Sequence, residues 1–221
     1  MSEGAPGTVP GPVEEVGVSA GRSGRRRLSL IAMVLLLEIG IFFAGLFTPL
    51  SATTRQALAS QTGSQFGGVQ TGTTSQVILF IFGHNLPIAL AEMIPVGGAL
   101  VFAFSVYSTG IAAQALVAAQ GLPAQWGAVI LAFPYSLVEL SAYAVAVVSG
   151  SLVLAAWRGH RLRKEMKTFA TEVGAVVAIL LVAATMETIT VKVSVLLGLA
   201  LWLPTGIALG TIMVVARKGP K

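Results

Sequence analysis

Six stretches of this chain approach the roughly 20 apolar helical residues needed to cross a bilayer core about 30 Å thick, and they constrain the fold more than any other feature. They run from 28 to 50, 74 to 95, 98 to 118, 125 to 156, 168 to 190 and 193 to 216. The expected fold is an all-α membrane protein, a bundle of six transmembrane helices. The composition agrees: 55% of the 221 residues are hydrophobic and 10% charged, which excludes an ordinary soluble domain.

The few basic residues orient the spans. Arg22, Arg25, Arg26 and Arg27 precede the first, Arg158, Arg161, Arg163, Lys164 and Lys167 join the fourth to the fifth, and Arg217, Lys218 and Lys221 follow the sixth. Six alternating spans put these three clusters, 12 of the 14 basic residues, on one side, with Arg55 and Lys192 on the other. Lys and Arg collect on the cytoplasmic side, so both termini are expected in the cytoplasm, with the protein in the cell membrane. The net charge of +5 is thus a topology signal. The clusters lack the interleaved aromatics of a nucleic-acid surface, and no nucleic-acid partner is expected. The absence of cysteine excludes disulfides, a thiol nucleophile and cysteine-based metal sites.

Residues 1 to 27 are expected to be a disordered cytoplasmic tail with a basic end: the first 21 are rich in Gly, Pro, Ala and Glu and show no apolar periodicity. The transmembrane domain covers 28 to 216, and 217 to 221 form a basic cytoplasmic end. The first span outruns the apolar region of a secretory signal and is expected to be retained. Residues 51 to 73, SATTRQALASQTGSQFGGVQTGT, are expected to be a mobile outer connector and a surface for partner contact. Short links at 94 to 98 and 118 to 124 make the second, third and fourth helices successive antiparallel neighbours.

Within the spans, polar residues are few. His84 and Asn85 closely precede Pro87 in FGHNLP. A mid-helix proline leaves a backbone carbonyl unbonded one turn back, and Asn or His can satisfy it, so a kinked second helix with a polar hinge is expected. Asn85 and Glu92 are seven residues apart, share a face, and should point at protein. A metal at His84 would lack companion ligands, since the other histidine, His160, falls in a cytoplasmic loop, and none is expected.

Glu139, in PYSLVEL, is the costliest residue, with a penalty of a few kcal/mol if charged at mid-membrane. Burial disfavours the charged form, so a neutral, hydrogen-bonding carboxyl is expected, with His84, Asn85, Tyr107, Ser108, Thr109, Gln114 and Tyr143 as its available partners. Glu38 poses the same problem in the first span. Glu172 and Glu187 lie near the ends of the fifth helix, within reach of the interface. Pro134 is expected to kink the fourth helix. Ala142, Ala146 and Gly150 repeat every four positions, forming a helix-packing seam of small residues that places this helix at the bundle's centre.

The order HNLPIAL, Pro95 with a Gly pair, YSTG, PYSLVELSA with Gly150 closing the helix, and ATMETIT resembles the stage II sporulation protein M family of integral membrane proteins, over roughly residues 74 to 190. In that family a mid-helix asparagine, matching Asn85, precedes an Asn-Gly pair in the next helix and a Pro-His-Gly-x-x-Glu-Leu motif in the one after. Pro134, Glu139 and Leu140 match that motif, while Tyr135 and Ser136 replace its His and Gly. Ser108, Thr109 and Gly110 stand where the Asn-Gly pair is expected, and Glu187 matches an acidic residue late in the penultimate helix. The His-Glu pair that would support proton chemistry is missing. The resemblance implies a multi-pass protein whose sporulation members hold cell-wall-degrading partners at the membrane during engulfment.

The outer loops hold no acidic pair for glycoside cleavage and no nucleophile set, so neither catalysis nor a cofactor is expected. The preferred reading is a membrane scaffold or accessory subunit that recruits or anchors other membrane or envelope proteins in the lipid bilayer; a homo-oligomer is allowed. The alternative is a transport or channel subunit in which Glu139, Asn85 and His84 line a polar path for protons or a small solute.

Overall fold

The computed structural model of the chain describes residues 15 to 159 and 161 to 207. Among these, every regular element is helical: α1 (Glu15–Leu46), α2 (Ala52–Thr71), α3 (Thr74–Glu92), α4 (Gly98–Ala119), a 3-10 helix (Ala124–Ala132), α5 (Pro134–Arg158), α6 (Leu162–Lys192) and α7 (Val195–Ala200). Five are long and apolar enough to cross a membrane: α1 from Gly24 onward, α3, α4, α5 and α6. The chain is an all-α, multi-pass membrane protein. The expected sixth span starts as a shorter apolar helix, Val195–Ile207, and its remainder lies outside the described residues, as does the basic end at 217 to 221.

Helix α5 packs against α1, α3, α4 and α6, and α1 runs along α4. Small side chains make the central position possible. Ala142, Ala144 and Ala146 are fully buried, and a Cβ added to Gly150 would strike the backbone of Met93 at the end of α3. Gly45 and Gly110 serve the α1–α4 crossing reciprocally: a Cβ on Gly45 would collide with the Tyr107 carbonyl, and one on Gly110 with the Phe42 carbonyl. Large apolar residues such as Leu36, Leu100 and Leu203 stay exposed on the outside, the surface a helical bundle offers to lipid tails.

Several elements depart from the sequence reading. The stretch 15 to 27, expected to be disordered, is helical and continuous with the first span; extending an existing helix costs far less than nucleating one. Residues 1 to 14 of the expected tail lie outside the described residues. The expected mobile connector at 51 to 73 is largely the helix α2. Ser51 Oγ accepts from the Thr54 N–H at 3.1 Å at its start, and Val69 near its end is buried with Val77, Ile81 and Ala184. Packing on α4 and α3 gives this polar segment an order its sequence pattern does not announce. Thr73 then caps α3 in a reciprocal box, its side chain accepting from the Gln76 N–H and the Gln76 side chain accepting from the Thr73 N–H. Helix α3 is continuous from Thr74 to Glu92 through Pro87.

The expected fourth span is two segments. Phe133, with φ −90° and ψ 138°, is extended between the 3-10 helix and α5, and Pro134 starts α5. Proline disfavours helical geometry at the residue before it and suits the first turn of a helix, so a break replaces the expected kink. The Trp202 indole N–H, donating to the Ala132 carbonyl at 2.7 Å, ties the helical turn after α7 to this break.

Candidate functional site: a carboxylate-lined cavity inside the bundle

A cavity of about 500 Å³ opens among the helices, with walls from α1 through α6 and from the 3-10 helix. Its acidic lining comes from three helices: Glu38 of α1, Glu139 of α5 and Glu187 of α6. His84 and Asn85 of α3 and Ser105, Ser108 and Thr109 of α4 share the lining. Phe42, Phe104, Tyr135 and Tyr143 add aromatic surface, and Thr62 of α2 reaches the same wall.

Each acid arrives by its helix's local logic. Glu139 lies in the second turn of α5, whose first residue is Pro134. It accepts a hydrogen bond from Tyr143 Oη at 3.0 Å, a four-residue spacing that stacks the two side chains on one helix face. Glu38 is fully buried, 0% exposed, and neither carboxylate oxygen has a hydrogen-bond partner among the described residues. Glu92 is buried beside this site: its Oε1 accepts from Ser105 Oγ at 2.9 Å, while its Oε2 has no partner among the described residues. Glu139 shares the cavity wall with Glu38 and Glu187, and Glu92 is bonded to the lining residue Ser105. Such a group cannot be fully ionised in a low-dielectric interior without strong mutual repulsion.

Of the residues singled out in the sequence, His84, Asn85, Glu139 and Glu187 share the cavity wall, and Glu92 borders it. Pro87 is exposed on α3 and does not line it. Pro134 positions the site from the start of α5. The seam residues Ala142, Ala146 and Gly150 are buried within the bundle and hold α5 in place. Glu187, near the end of its helix by sequence, faces the cavity instead of the interface. Comparison with protein-family models, curated proteins and solved structures finds no match to this chain. The site therefore rests on its geometry.

Sequence reasoning left Glu38 and Tyr135 out of the site. A lone acid at the middle of an apolar span was the available signal for Glu38. A second polar cluster, also unforeseen, lies toward the N-terminal end of α1. Arg27 donates to Glu165 and Glu172 of α6, and Glu172 Oε2 accepts from Ser149 Oγ of α5 at 2.6 Å. Arg27, expected only as part of a topology signal, ties α1 to α6, and Glu172 is a partner to it. Among the described residues no three His, Cys, Asp or Glu side chains stand close enough to hold a metal ion. The carboxylates of the cavity are spread around its walls.

Proposed function

We propose that this chain is a transport or channel subunit, a six-span protein of the cell membrane with both termini in the cytoplasm, whose central cavity forms part of a path for protons or a small solute. One observation carries the reading: three carboxylates from three different helices meet His84 and Asn85 around one cavity within the membrane-spanning bundle. Ionisable groups inside a bundle are costly, and a protein that only needs its helices tied together can do so with neutral hydrogen bonds. A cavity of about 500 Å³ is in the size range of small-molecule sites. In this reading the chain performs no covalent chemistry.

The scaffold alternative loses one of its surfaces, since the seam at Ala142, Ala146 and Gly150 is occupied by the chain's own helices. Descent from the stage II sporulation protein M family stays a proposal. The three matched polar residues, Asn85, Glu139 and Glu187, border one cavity, which supports treating them as one site.

The natural absence of cysteine makes the test direct. Single cysteines replace Ser108 and Ala112 on the cavity wall and Leu36 on the lipid-facing side, and membranes are treated with a small impermeant methanethiosulfonate cation. Only a thiol in contact with water ionises and reacts quickly. Ser108→Cys and Ala112→Cys should label, and Leu36→Cys should not. Cavity cysteines unreactive from both faces of the membrane would remove the path and return the chain to the scaffold class.

A further inference from the structure

Resting on the reading of the cavity as a solute path, we infer that its ligand is a small organic cation, an amine or quaternary ammonium, bound in exchange for protons. Charge comes first. Among the described residues, three of those lining the cavity are acidic and none is Lys or Arg. Glu38 is the telling member: fully buried, lining the cavity, with both oxygens lacking any partner among the described residues. A buried carboxyl without a hydrogen bond is costly, and a native protein retains one where something else completes it.

Size and shape then select the class. The acids come from α1, α5 and α6, and among the described residues no three acidic or histidine side chains gather tightly enough to chelate a bare metal ion. A cation with an organic body can approach separated carboxylates at once. The aromatic faces of Phe42, Tyr135 and Tyr143 suit such a body, because ring quadrupoles attract alkylammonium groups within about 6 Å.

Proton exchange follows from linkage. The titratable groups facing the cavity are Glu38 on α1, His84 on α3, Tyr135, Glu139 and Tyr143 on α5, and Glu187 on α6. Glu92 lies behind them on α3, and the α2 and α4 walls supply no ionisable side chain. A cation favours the ionised carboxylates, so its entry expels protons to water and protons compete with it. Affinity must rise with pH, about tenfold per pH unit for each proton released.

The probes are choline and its uncharged carbon isostere, dimethylbutanol, titrated calorimetrically into the full-length protein in lipid nanodiscs. Choline should bind, the isostere should bind at least tenfold more weakly, and choline affinity should increase from pH 6 to pH 8. Glu38→Gln should weaken choline at least tenfold while the protein stays monodisperse with an unchanged melting temperature. Equal binding of the two probes, no choline binding, or a pH-independent affinity would each overturn the inference. Labelled cavity cysteines without choline binding would sink the inference and spare the path. Choline bound by the nanodisc protein but not accumulated in proteoliposomes under a pH gradient would keep the cation site and remove transport.

Discussion

Tyr143 donates its phenolic hydrogen to Glu139 at 3.0 Å, one turn along the same helix, so among the described residues this cavity acid is held by its own helix. The bond aims Glu139 without linking α5 to the polar patch on α3. Glu139→Gln keeps the accepting oxygen and should leave the melting temperature in detergent unchanged. Glu139→Ala strands the Tyr143 hydroxyl and should cost about 1–3 kcal/mol. Equal stability of the Gln and Ala variants in thermal unfolding would contradict this account.

The reciprocal contact of Gly45 and Gly110 sets the spacing of α1 and α4. Gly110→Ala introduces a methyl group where the Phe42 carbonyl sits, and overpacking of this kind costs about 1–3 kcal/mol. The double variant Gly45→Ala with Gly110→Ala should lose less than the sum of the two singles, because one helix shift relieves both collisions. Strict additivity in detergent melting curves would show that the two glycines do not share a crossing.

Arg27 pairs with two acids of α6, Glu165 and Glu172, and Ser149 adds a third element through Glu172. Replacing it by Met keeps the apolar stem and leaves Glu165 and Glu172 without their cation. The expected loss is about 1–3 kcal/mol, with hydrogen exchange rising in the first turns of α6 before the centre of α5. Uniform exchange along both helices would count against a local tie.

Topology has its own measurement. A reporter after Lys221 and another before Met1 should both report the cytoplasm, and one placed between Thr71 and Thr74 should report the outside. A C-terminal reporter on the outer face would mean that the apolar helix beginning at Val195 does not complete a crossing, leaving five spans.

The sequence by itself determined what depends on local composition: the membrane class, the apolar stretches within which five helices long enough to cross a membrane form, and the identity of the acids that burial would make expensive. Transfer into lipid is close to additive along a helix, so hydropathy and single charged residues are legible without the fold. Asn85, Glu139 and Glu187 were already marked, but their meeting was not. Which acids face one another depends on the rotation and register of helices far apart in the chain, and those are set by contacts such as Gly45 on Gly110 and Gly150 on Met93. The tertiary structure therefore decided that Glu38 belongs with Glu139 and that Glu187 turns inward. It also decided that Pro134 starts a helix where a bend was expected, and that residues 52 to 71 form a packed helix. Packing energy from partners distant in sequence governs each of these, and no window of the chain contains it.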